Sequence, residues 1–79
     1  MIKREGKRLV LTFHTTADAI AMERLCKQMN IPGRLIPAPR ELTSDCGIAW
    51  SLPPEEAERL DAVLTKHPLE IAARNELEL

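Results

Sequence analysis

At 79 residues the chain has material for one domain, residues 1–79, with a single thin core and no deep active-site cavity. Hydrophobic residues make up 44% and aromatics 3%, with one Phe13, one Trp50 and no tyrosine, so the aromatic platforms that stack nucleic-acid bases are missing. The net charge of −1 lacks the strong basic excess that a phosphate backbone recruits, and nucleic acid is not an expected partner.

In chain order, Arg8 to His14 alternates Leu9, Leu11 and Phe13 with Val10, Thr12 and His14, the period-2 pattern of a half-buried strand. Thr15 then stands as a helix cap with Asp18 three residues on, an acidic variant of the capping box. The helix runs to about Met29, with Ala21, Met22, Leu25, Cys26 and Met29 on one stripe, and Asn30 with Pro32-Gly33 stops it. Arg34 to Pro37 is a short second strand, and residues 39–47 form a polar, proline-bounded loop. Ile48 to Leu52 is a third strand with Ile48, Trp50 and Leu52 on one face. Pro53-Pro54-Glu55-Glu56 suits the first turn of a second helix, whose core stripe is Ala57, Leu60, Val63 and Leu64; Glu55 and Glu56 read as helix-start charges. His67-Pro68 ends it. Leu69, Ile71 and Ala73 alternate as a fourth strand, against good helix formers in the same tail. The order β-α-β-β-α-(β) predicts an α+β two-layer sandwich of ferredoxin-like topology, its antiparallel or mixed sheet carrying both helices on one face.

No apolar run reaches the length of a membrane span and no charged-then-apolar leader precedes the first strand, so a cytoplasmic protein without a membrane partner is expected. Two cysteines and two histidines at unhelpful spacings do not make a zinc site, and no other cofactor site is read. Charge is uneven: residues 1–40 carry eight Lys/Arg against three Asp/Glu, and residues 41–79 carry three against nine. The plain reading is a solvated surface; the sharper one is a basic half, including Lys3, Arg4, Lys7, Arg8, Arg34 and Arg40, that meets an acidic partner or a small anion.

The chemistry concentrates at Cys46-Gly47. Cys26 lies on an apolar helix stripe and reads as core. Cys46 lies at the end of a polar loop, where a thiol is accessible. In this topology the first and third strands are antiparallel neighbours, so His14 at the end of one lies beside Cys46 and Gly47 at the start of the other. The N-terminus of the first helix, around Thr15, shares that edge. An imidazole, a positive helix end and the loop cation Arg40 are thereby expected near one thiol, all able to favour a thiolate, while Asp45 opposes it. Thr43 and Ser44 read as turn hydroxyls, since no Ser/His/Asp spacing is present. Trp50 is core, or part of a sheet face that pairs two copies in a homodimer.

The stretch Leu35-Ile36-Pro37-Ala38-Pro39-Arg40-Glu41-Leu42-Thr43-Ser44-Asp45-Cys46-Gly47-Ile48-Ala49 resembles the family of small selenium/sulfur carrier-like proteins. Phe13, Thr15, Ala21, Glu23, Pro37, Pro39, Arg40, Ser44, Cys46 and Gly47 match its pattern, over about residues 8–66. The resemblance implies a carrier with sulfur or selenium donor and acceptor proteins as partners, and Cys46 as the residue that accepts the cargo. Arg40, His14, Thr15, Gly47 and Ser44 would stabilise its anion. Such a chain is a covalent carrier rather than an enzyme with its own turnover. The rival readings are a non-catalytic module that binds a small anion or a protein, with Cys46 as a packing residue, and a thiol-redox protein, which lacks a second local cysteine.

Overall fold

A computed structural model describes residues 7–42 and 46–78. The elements are β1 (Lys7–Thr12), α1 (Thr16–Gln28), β2 (Arg34–Pro37), β3 (Ile48–Leu52), a 3-10 turn (Pro54–Glu56), α2 (Ala57–Lys66) and β4 (Ala73–Glu78). The four strands form one sheet in the order β2-β3-β1-β4, every pairing antiparallel. With β1-α1-β2 and β3-α2-β4 as two interleaved split units, this is the ferredoxin-like α+β sandwich.

Local chemistry sets each boundary. Thr15 is extended at φ −135°, and its Oγ1 accepts a hydrogen bond from the Asp18 backbone N–H at 3.1 Å, so one unpaired donor of the first turn of α1 is satisfied. At the other end Asn30 adopts a left-handed φ of 58°. That conformation lets the Ile31 N–H reach the Cys26 carbonyl at 2.8 Å and the Asn30 N–H reach Lys27 at 3.3 Å, a Schellman cap with asparagine in the usual glycine position. Buried Ile31 supplies the apolar contact that accompanies such caps. Arg59 ties the two helices together: Nη1 meets Glu56 Oε1 and Nη2 donates to the Met29 carbonyl, both at 2.9 Å.

Strand alternation divides the sheet. Leu9, Leu11 and Phe13 join Trp50, Leu52, Ala19, Met22, Cys26, Ile31 and Leu60 in the core between sheet and helices. The period-2 reading of β1 therefore holds, although the strand ends at Thr12 and leaves Phe13 and His14 beyond it. The opposite face of the two central strands is also buried: Val10, Thr12, Ala49 and Ser51 are at most 2% exposed. These are small or branched side chains bordered on the same face by the longer Arg8, Ile36, Asn75 and Leu77.

Two corrections concern the ends of elements. Pro53-Pro54 opens a 3-10 turn rather than an α-helical first turn, because proline supplies no N–H and Glu56 closes a three-residue bond to the Pro53 carbonyl at 3.0 Å. The fourth strand exists but starts at Ala73, so Leu69 and Ile71 lie in the connection before it, partly buried against the core. What fixes its phase is the register with β1, Thr12 opposite Ala73 through Lys7 opposite Glu78.

Candidate functional site

The register places the loop cysteine. Thr12 of β1 faces Ala49 of β3, and Pro37 of β2 faces Ile48. Two residues beyond Thr12 is His14, and two before Ala49 is Gly47, so both chain segments leave the sheet at the same end. The α1 N-terminus begins there at Thr16, and the loop after β2 leaves there as well. His14, Thr15, Arg40, Cys46 and Gly47 thus belong to one end of the sandwich. Ser44, together with Thr43 and Asp45, lies outside the described residues.

Two backbone features shape the loop. Pro37 and Pro39 carry no N–H, which leaves Ala38 as the one donor between them; it donates to the Gly47 carbonyl at 3.0 Å and closes the loop across its base. A second bond, from the Leu42 N–H to the Pro39 carbonyl at 3.0 Å, makes a turn with Arg40 exposed at its tip. Gly47 sits at φ +77°, in the left-handed region, with open space where a side chain would be, so its backbone conformation rather than crowding calls for glycine there.

Cys46 is half-buried, packed against the margin of the core, and its Sγ donates to the Ile48 carbonyl at 3.4 Å. Thr15 is a working helix cap, its hydroxyl engaged by the Asp18 N–H, so its contribution at this end is to hold the helix start in place. His14 and Arg40 are exposed.

Cys26 has the opposite character. It is fully buried, and its Sγ donates to Met22 Sδ at 3.7 Å. Burial pushes this thiol from its ordinary value of 9.0 up to about 11, with the Trp50 indole N–H acting in the other direction. That indole nitrogen is near enough to favour the thiolate but meets no partner at hydrogen-bond geometry. Neither cysteine is in a disulfide. Cys26 lies ten residues beyond Thr16 along α1, a rise of roughly 15 Å from the helix start, whereas a disulfide needs Cα atoms within about 7 Å.

The Ile48 carbonyl as partner of the thiol and the Ala38 to Gly47 latch carry no sequence motif. The alternation of Pro37, Ala38 and Pro39 was the available signal for the latch, because it isolates a single backbone donor.

Among the described residues no group of His, Cys, Asp and Glu has the arrangement of a metal site, and no helix is long and apolar enough to cross a membrane. No curated protein and no solved structure matches the chain significantly. A family model described as "Putative Se/S carrier protein-like" matches residues 8–74, from β1 into the start of β4 and farther than the resemblance over 8–66 reached. With that match spanning all but the two ends of the chain, the protein belongs to the Se/S carrier protein-like family.

Proposed function

We propose that the protein is a sulfur or selenium carrier that holds its cargo on Cys46. The observation that supports this most is the contrast between the two thiols. Cys26 is buried in the core with a raised pKa, whereas Cys46 stands partly exposed at a loop-to-strand junction, at the end of the sandwich where α1 begins. Family membership favours the same assignment.

The transfer needs no pocket and no cofactor. The Cys46 thiolate attacks the terminal sulfur of a donor protein's cysteine persulfide. A new S–S bond forms on Cys46, the donor's S–S bond breaks, and the donor cysteine leaves as a thiolate with the bonding pair. The sulfane sulfur passes at constant oxidation level, so no external oxidant is consumed. Delivery repeats the step with an acceptor thiolate attacking the carried sulfur. Transfer of selenium follows the same course, with the terminal atom of the donor as selenium. Arg40 and the first-turn N–H groups of α1 would stabilise the terminal anion, His14 would move its proton, and Gly47 would let the backbone turn beneath it. Ser44 would add a hydroxyl donor. The donor and acceptor are proteins, and the setting is the reducing cytoplasm.

Incubation with a cysteine desulfurase and cysteine, followed by intact mass, tests the reading. A gain of one sulfur that is lost in Cys46→Ser supports it; no gain, or a gain that persists in the variant, contradicts it.

A second reading rests on the Cys46 thiol donating inward to the Ile48 carbonyl and packing on the core margin. Cys46 is then a packing residue, and the exposed Arg40 with the α1 N-terminus binds a small anion or an acidic protein segment. In a deletion strain, full complementation by Cys46→Ser favours this module over the carrier.

A further inference from the structure

A cleft lies on the sheet face turned away from the helices, over β2 and the C-terminal part of β3. From Ile48 at the Cys46 end to Leu52 is roughly 13 Å of strand. The cleft has a volume of about 430 Å³, within the range of roughly 300–1,000 Å³ typical of small-molecule sites, and is lined by Arg8, Arg34, Ser51, Ile36, Pro32 and Pro53.

Its polar groups converge by strand register. Ser51 of β3 faces Val10 on one side and Arg34 on the other, and Arg8 stands two residues before Val10 on the same face. Arg8 is held in place from below. Its Nε donates to Ser51 Oγ at 2.9 Å and its Nη2 to the Ser51 carbonyl at 3.3 Å, which leaves Nη1 with no partner among the described residues. Ser51 is 2% exposed, and its hydroxyl, having accepted from Arg8, retains a proton to donate.

Of the arginines outside the cleft, two are paired with carboxylates, while the exposed Arg24 and Arg40 have none among the described residues. Arg59 and Arg74 each meet a carboxylate, Glu56 at 2.9 Å and Asp61 at 2.7 Å. Arg8 and Arg34 have no carboxylate partner among the described residues, in a chain with twelve Asp/Glu. Two guanidinium groups and a hydroxyl facing one cleft, without a counter-ion among the described residues, make a receptor for an oxyanion, since the planar fork of arginine matches carboxylate and phosphate oxygens. Ile36, Pro32 and Pro53 add an apolar wall that an inorganic ion would leave uncovered.

The turn that builds the cleft is fixed in place. A Cβ at Gly33 would stand 2.6 Å from the Trp50 ring, so this glycine lets Pro32 and the start of β2 close against β3.

We infer that this cleft binds a small organic anion, a carboxylate or phosphate group carried on a short apolar body, between Arg8 and Arg34. The site is separate from Cys46 and does not depend on the carrier reading.

The test is titration of the isotope-labelled chain with inorganic phosphate, phenyl phosphate and an acidic hexapeptide, against sodium chloride at matched ionic strength, read by amide and arginine Nε–H chemical shifts. Saturable shifts at Arg8, Gly33, Arg34 and Ser51 are expected, with phenyl phosphate binding several-fold tighter than phosphate. Arg34→Gln, an exposed change on an edge strand, should weaken binding roughly tenfold, the effect of losing one charged hydrogen bond. Arg8→Gln should do the same, and its unshifted core amides would show an intact fold. Shifts that chloride reproduces, that never saturate, or that survive Arg34→Gln overturn the site. Tighter binding of the hexapeptide than of phenyl phosphate overturns its assignment to a small molecule.

Discussion

Single positions separate conformational from packing demands. Gly47→Ala places a Cβ into open space at φ +77°, so its cost is the left-handed backbone alone, about 1–2 kcal/mol, and should appear as a lower melting temperature. Gly33→Ala instead drives a methyl into the Trp50 ring at 2.6 Å, an overpacking cost of roughly 1–3 kcal/mol that should also alter the tryptophan fluorescence. Cys26 gives a pH dependence. Burial in the fold pushes its thiol from the ordinary 9.0 up to about 11, so the unfolded chain loses the proton first. The stability that Cys26 contributes is complete below pH 9 and is lost as pH rises toward 11; Cys26→Ala should flatten that fall in a denaturant series taken from pH 8 to 11. At this scale the sequence already separated the thiols, because Cys26 lies on an apolar stripe and Cys46 follows a polar loop. The demand at Gly47 was hidden, since a φ value leaves no mark on the residue types around it.

Elements read well where hydrophobic period and stop signals agree. Thr15 with Asp18, and Asn30 followed by Pro32-Gly33, bounded α1 in the sequence, and both caps are formed. Removing the first, Thr15→Ala, should lower helix and protein stability by about 1 kcal/mol in chemical denaturation. β2 and β3 were read with their observed limits, Arg34–Pro37 and Ile48–Leu52. The tail was harder. Its alternating Leu69 and Ile71 suggested strand, yet they pack on the core margin in the connection, and the real strand places Arg74 and Glu76 opposite Leu11 and Leu9. Charged residues on an edge strand do not look like strand in sequence, because their place comes from hydrogen bonding to β1 and from the Arg74 bridge to Asp61 at 2.7 Å.

At the scale of the whole molecule, topology decides what the thiols can do. The interleaved split units bring the end of β1, the start of β3 and the α1 N-terminus to one end of the sandwich, and carry Cys26, near the C-terminus of α1, toward the other. That much followed from the order of the elements. Burial on the second face of the central strands, and the Arg8–Ser51–Arg34 cleft there, did not, because they come from side chains brought together across three strands. The separation of the cysteines sets the central claim, a carrier with one working thiol. Peptide mapping of the chain after loading by a cysteine desulfurase, with persulfides trapped by alkylation, tests it most directly. The account predicts the extra sulfur on the peptide containing Cys46, with Cys26 unmodified until the protein is unfolded. Sulfur on Cys26, or a Cys46–Cys26 disulfide in place of a persulfide, would contradict it.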